Sequence, residues 1–149
     1  MVAAATRRAT SMAFPLVPNA AGDVTCMTPS TGANYACVDD VPPNTTDYVQ
    51  SNVAGTKDLY NLTTVTQAAG ETVKGVMAWG AFLQVTQGNQ IQGKVGIKTG
   101  GTEQWGAAKD LTYNAWKAVL KSFGSLNPTT GLAWTQADID ALQVGVQRV

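Results

Sequence analysis

The stretch Ile91-Gln92-Gly93-Lys94-Val95-Gly96-Ile97-Lys98 decides the fold class. Ile91, Val95 and Ile97 fall on one face of an extended chain, and Gln92, Lys94 and Lys98 fall on the other. Side chains of a strand alternate from face to face, so this is a strand with one face packed and one turned to water. Upstream, Val73 to Val85 is a longer apolar stretch interrupted by Gly75 and Gly80. Each glycine would cost a helix about 1 kcal/mol relative to alanine. In a strand the same residues mark a bulge or a close backbone approach. Gln87-Gly88-Asn89 supplies a turn between the two stretches, which together predict an antiparallel hairpin.

Further from the hairpin the elements are short. Asn34-Tyr35-Ala36-Cys37-Val38, bounded by Thr31-Gly32 and Asp39-Asp40, reads as a strand. Val41 to Asp47 carries Pro42, Pro43 and Asn44 and reads as loop, with Tyr48-Val49 a brief extended contact beyond it. Asp58 to Leu62 alternates and reads as another strand. Gly100-Gly101 breaks the chain before Trp105. Leu111 to Phe123 mixes both periods, and we expect a strand that turns into a bulge or helical turn near Lys117.

The C-terminal end carries a helix-start signature, Trp134-Thr135-Gln136-Ala137-Asp138-Ile139. Thr135 is placed to cap the first-turn amides and Asp138 to favour their positive end. Trp134 and Ile139 are placed to staple the entry. Gly145 between Val144 and Val146 ends this helix early and points to a final strand. Many short strands with Gly and Pro turns predict a mainly β fold. We expect an antiparallel β-sandwich, jelly-roll-like, with one short C-terminal helix. Residues 23–149 form its single domain, and residues 1–22 an extended N-terminal arm punctuated by Pro15 and Pro18.

Composition narrows the function classes. The 149 residues are 44% apolar, enough for one core, but only 13% charged. That charged share is about half the usual one. Ten basic and ten acidic residues cancel, so nucleic acid is not an expected partner, because phosphate neutralisation scales with Lys and Arg contacts. A weakly charged surface repels its neighbours poorly, which suits a subunit of an assembly. No run of about 18 apolar residues exists to span a membrane. Arg7 and Arg8 are followed by Ala9, Thr10 and Ser11 rather than an apolar segment, which argues against a secretory signal.

The chain has no histidine, which removes Ser-His-Asp and Cys-His sites and the commonest metal ligand. Thr99-Gly100-Gly101-Thr102 lacks the lysine of a phosphate loop, and neither Asp39-Asp40 nor Asp138 with Asp140 has calcium-loop spacing. No catalytic residue, metal or cofactor is expected. Cys26 and Cys37 flank a turn at Pro29 to Gly32 and are either a disulfide or two small buried hydrophobes. Among the tryptophans, Trp79 and Trp134 read as core. Trp105, between Gln104 and Gly106, reads as an exposed partner contact, as do Phe14 and Leu16 in the arm.

Asn127-Pro128-Thr129-Thr130-Gly131-Leu132-Ala133-Trp134-Thr135, then Ala137 to Leu142 and Gly145-Val146, resembles the C-terminal signature of a tailed-bacteriophage virion protein family. Asn34-Tyr35, Val38 to Pro43, Asp47 to Val49 and Gly55 to Tyr60 fit the same family more loosely, so the resemblance covers roughly residues 30–149. It implies a non-catalytic particle component, assembled in a bacterial cytoplasm and carried on the virion. The small size and expected arm suit a head decoration (cement) protein. Its partners would be the major capsid protein and copies of itself. A tail or neck component, or a host-surface carbohydrate- or receptor-binding module, are the alternatives.

Overall fold

A computed structural model describes residues 13–68 and 70–149. Its strands are β1 (Pro18–Thr25), β2 (Thr28–Pro29), β3 (Val49–Gln50), β4 (Lys57–Leu62), β5 (Met77–Phe82), β6 (Gln92–Thr99), β7 (Thr102–Trp105), β8 (Lys109–Asp110), β9 (Lys117–Ser122) and β10 (Gln143–Arg148). One helix, α1 (Gln136–Asp140), precedes β10. The main sheet runs β1-β4-β10-β6-β7, with β8 also on β6, and its pairings are antiparallel. The fold is mainly β, as expected. No helix among the described residues is long and apolar enough to cross a membrane.

β6 lies inside this sheet with the predicted alternation. Val95 and Ile97 are each 1% exposed, facing a core that includes Ala78, Val119, Trp134, Ile139 and Leu142. Burying each such side chain contributes roughly 1.5–3 kcal/mol. The hairpin, however, is a different one. β6 turns through Gly100-Gly101 into β7, and both glycines have positive φ, as a tight two-residue hairpin turn requires. β5 pairs instead with β9, forming a two-stranded ribbon that lies over β6 as a second layer. The layers touch through glycine. A Cβ on Gly93 would stand 2.7 Å from the Phe82 ring, so Phe82 packs face to face on β6 rather than beside it. The result is an unequal sandwich, and the finer jelly-roll expectation finds no support in six strands against two.

Other expectations change locally. Asn34–Cys37 is a 3-10 turn, not a strand, because the Asn34 side chain is drawn inward to Asp58. β9 begins at Lys117, where a bulge or helical turn was expected, and its apolar residues are split between the two faces of the ribbon. Pro18–Thr25 pairs with β4, so the arm expected over residues 1–22 loses its last five residues to the sheet. Residues 1–12 of that arm, with Arg7 and Arg8, lie outside the described residues.

The C-terminal signature forms as read. Thr135 Oγ1 accepts from the Asp138 amide, and the Asp138 carboxylate accepts from the Thr135 amide, closing a capping box. Trp134 and Ile139 are both buried in the core. Asn127, fully buried, donates to Thr99 Oγ1 at 3.1 Å and so ties the Asn-Pro loop to the end of β6.

Candidate interaction groove

The second layer is incomplete. Val144 and Val146 of β10 pair directly with Ile97 and Val95 of β6 and point to the same face. Yet they stay half-buried while their β6 partners are sealed, because the ribbon covers β6 and leaves β10 only partly covered. A groove of about 1500 Å³ runs there, with Tyr60, Val144 and Val146 on its floor and the loop through Val41, Asp47 and Val49 as its far wall. A second hollow of about 1440 Å³ continues it past Leu62, Val65 and Leu16. β5 lines both.

That edge of β5 is open among the described residues. Phe123 donates its amide to the Val76 carbonyl. Backbone groups of an antiparallel strand alternate between its two edges, so Ala78, Gly80 and Phe82 also face β9. Met77, Trp79 and Ala81 then direct their N–H and C=O groups into the groove. Such a row is a template for another strand.

The ribbon's outward face is apolar as well. Trp79, 44% exposed, sits directly opposite Leu120, and Met77 and Leu120 are each 60% exposed. Trp116 continues this side at the start of β9 and is also exposed. Contiguous apolar surface of this kind marks a contact site.

The expected contact residues fall differently. Phe14 is 53% exposed, but Leu16 is half-buried against the core. Trp105 is not an exposed loop residue. It lies on β7 with its ring over Gly96, its Nε1 donating to Glu103 at 3.0 Å and the Lys94 ammonium 5.5 Å from its centroid. Trp79, expected in the core, is the exposed one. Both faces of Met77 to Phe82 are apolar, so alternation alone does not tell which one is buried. Cys26 and Cys37 are both free. The Cys37 thiol is buried and donates to the Thr31 carbonyl, while Cys26 is exposed, so they are not bonded.

One wall of the groove is braced by a buried carboxylate. Asp58 accepts from the amides of Cys26 (2.5 Å) and Met27 (2.8 Å), from Asn34 Nδ2 (2.6 Å) and from the Tyr60 hydroxyl (2.9 Å). These bonds hold the segment after β1 against β4. Burial, reinforced by the neighbouring Asp58 charge, pushes the Tyr60 hydroxyl far above its ordinary value of 10.0.

The polar outer face of the main sheet is knitted by charge. Lys57 and Glu103 meet at 2.6 Å although β4 and β7 are not neighbours, and this bond holds the Glu103 carboxyl below its usual range. Lys98 bonds Asp23 and lowers it in the same way. This arrangement offers surface for a protein partner: an apolar floor, an open strand edge and exposed aromatic side chains. No family model, no curated protein and no solved structure matches this chain.

Proposed function

We propose that this chain is a non-catalytic structural protein of a tailed-phage virion, and that it decorates and cements the head lattice. The observation that carries the structural-subunit reading is the unfilled second layer. An apolar floor beside an open strand edge favours a protein occupant that contributes backbone hydrogen bonds and apolar anchors. The exposed Met77, Trp79, Trp116 and Leu120 add a second contact face. The virion assignment rests on the resemblance carried by Asn127 to Leu142, the segment that forms the Asn-Pro loop, anchored by the buried Asn127, and the capped helix.

On this reading the major capsid protein and further copies of the chain are the partners. A subunit that binds only the assembled lattice stabilises that lattice by mass action. Specificity comes from shape and backbone pairing, consistent with ten basic and ten acidic residues that cancel. The test is the copy number of the chain in purified particles relative to the major shell subunit. A comparable number supports decoration. A small fraction moves the chain to the tail or neck, and absence from the particle overturns the proposal.

A further inference from the structure

We infer that residues 38–48 form a strap that closes over the groove, held shut by an ion pair between Asp47 and Arg148. The inference rests on reading the groove as the partner-docking surface, whose access the strap governs. It is tested on the isolated chain, so its failure leaves the particle count standing.

The strap is tied at its ends and free between them. At one end the Cys37 thiol donates to the Thr31 carbonyl, and Asn34, a turn earlier, bonds Asp58. At the other, Ser30 donates its amide to the Tyr48 carbonyl at 2.8 Å, and its hydroxyl accepts from the Tyr48 amide at 2.9 Å. Among the described residues, no hydrogen bond or ion pair joins residues 39–47 to the rest of the chain, and Asn44 bonds only Thr46 within the strap. A segment with so few bonds to the body opens and closes at little cost. Pro42 and Pro43 fix two φ angles, so its middle moves as a unit.

The groove holds two buried polar atoms of opposite charge with nothing to bond. Asp47 Oδ1 and Arg148 Nε each lack a hydrogen-bond partner among the described residues, and both residues line the same hollow. A buried polar group left unpaired is costly, and a carboxylate with a guanidinium is the strongest available match. The Arg148 backbone is fixed, its amide bonded to the Thr56 carbonyl at 3.0 Å and its carbonyl to the Gly55 amide at 2.9 Å. Its Nη1 reaches the Ser51 carbonyl at 3.4 Å, a long bond that leaves the Nε edge of the guanidinium open. Ser51 directly follows β3 and Asp47 lies just before it, so a small swing beside the Tyr48 anchor brings the carboxylate to that edge.

Charge and apolar surface both favour the closed position. The strap carries Asp39, Asp40 and Asp47 and no basic residue, while Arg148 is the one basic residue lining the hollow among the described residues. Val41, 59% exposed, lines both hollows, as does Val144 on the floor. As Asp47 swings to Arg148, the strap carries Val41 down onto that floor, and apolar surface leaves water.

The labelling rate of a thiol placed by Val41→Cys reads closure. The background is Cys26→Ser, because Cys26 is exposed and bonds only through its backbone amide, whereas Cys37 is buried. Asp47→Asn and Arg148→Gln should each speed labelling about two- to fivefold, the range that a partly exposed ion pair supplies. The two together should label no faster than either alone. Exchanging the charges, Asp47→Arg with Arg148→Asp, should restore the slower rate. Salt at about 1 M, which shortens the screening length to roughly 3 Å, should bring the parent to the rate of the variants. Equal rates in parent and variants overturn the inference, and so do effects of the two substitutions that simply add. Arg148 ends β10, so should Arg148→Gln loosen the sheet in a thermal melt, Asp47→Asn and the salt response decide. If neither speeds labelling, no strap is held by this pair.

Discussion

Gly145 pairs with Gly96 across β10 and β6, and the side chains on either side of that pair lean in to cover it. The same cross-strand row holds Leu59 on β4 and Trp105 on β7. A Cβ on Gly145 would stand 2.7 Å from Leu59 Cδ2 and 2.8 Å from Trp105 Cη2, and one on Gly96 would stand 2.6 Å from the Trp105 ring. The two glycines are the bed on which the indole lies flat.

Gly145→Ala should therefore destabilise the chain by about 1–3 kcal/mol, the usual cost of forcing extra volume into a packed site. Urea denaturation checks it. A variant as stable as the parent would show that Trp105 swings away freely.

Asp58 should be far more sensitive. Asp58→Ala leaves the amides of Cys26 and Met27, the Asn34 amide and the Tyr60 hydroxyl without their acceptor. Each buried group left unpaired costs about 1–3 kcal/mol, so a loss of at least about 3 kcal/mol is expected. A thermal melt reads the loss directly, and limited proteolysis should locate it between residues 26 and 38.

Acid should unfold the protein through three carboxyls. Glu103 is held low chiefly by Lys57, Asp23 by Lys98, and Asp138 by the Thr135 amide. Each binds fewer protons folded than unfolded, so its stabilisation is fully present above the ordinary values of 4.5 for Glu and 3.8 for Asp. It is lost as pH falls through the lowered folded values. Unfolding midpoints should be flat from neutrality to about pH 5 and decline below it. Glu103→Gln should make that decline shallower, and an unchanged slope would remove this ion pair from the account.

Base should act through Tyr60. Its hydroxyl is raised, so the folded state holds its proton when an unfolded tyrosine, ordinarily at 10.0, has lost it. Stability is complete below pH 10 and falls as pH rises above it. Phenolate absorbance should show one of the four tyrosines ionising only together with unfolding. A Tyr60 that titrates in the folded state near its ordinary value would contradict its burial.

Leu120→Ser and Trp79→Ser on the outward face should leave the unfolding midpoint within about 0.5 kcal/mol of the parent, as substitutions away from the core do. If this face docks on a particle, they should also weaken binding to stripped shells. A large loss of stability would mean the face is core after all.

Some of this was legible residue by residue. The alternation in β6 has polar residues on one side only, so its buried face is unambiguous. The capping box needs only residues three apart, and it closes as its spacing requires. The ribbon was not legible in the same way. Met77 to Phe82 is apolar on both faces, so Trp79 read as core, and Trp105 between two small or polar neighbours read as surface. Two glycines on other strands, Gly96 and Gly145, reverse the second reading by making room for the ring. Asn34 and Asp58 are 24 positions apart, and their bond turns an apparent strand into a 3-10 turn. Nothing local announces a bond over that separation.

The amino-acid order alone settles the local physics here: strands where polarity alternates, turns where Gly-Gly permits positive φ, and a helix where Thr and Asp cap one. Folding in three dimensions settles which strands become neighbours and which face of the ribbon meets water. Those outcomes depend on contacts between residues far apart in the chain. Phe82 on Gly93 sends β5 into the second layer, and the ribbon is then too narrow to cover β10. The open groove follows from that mismatch in width, a property of the assembled sheets that no single segment carries.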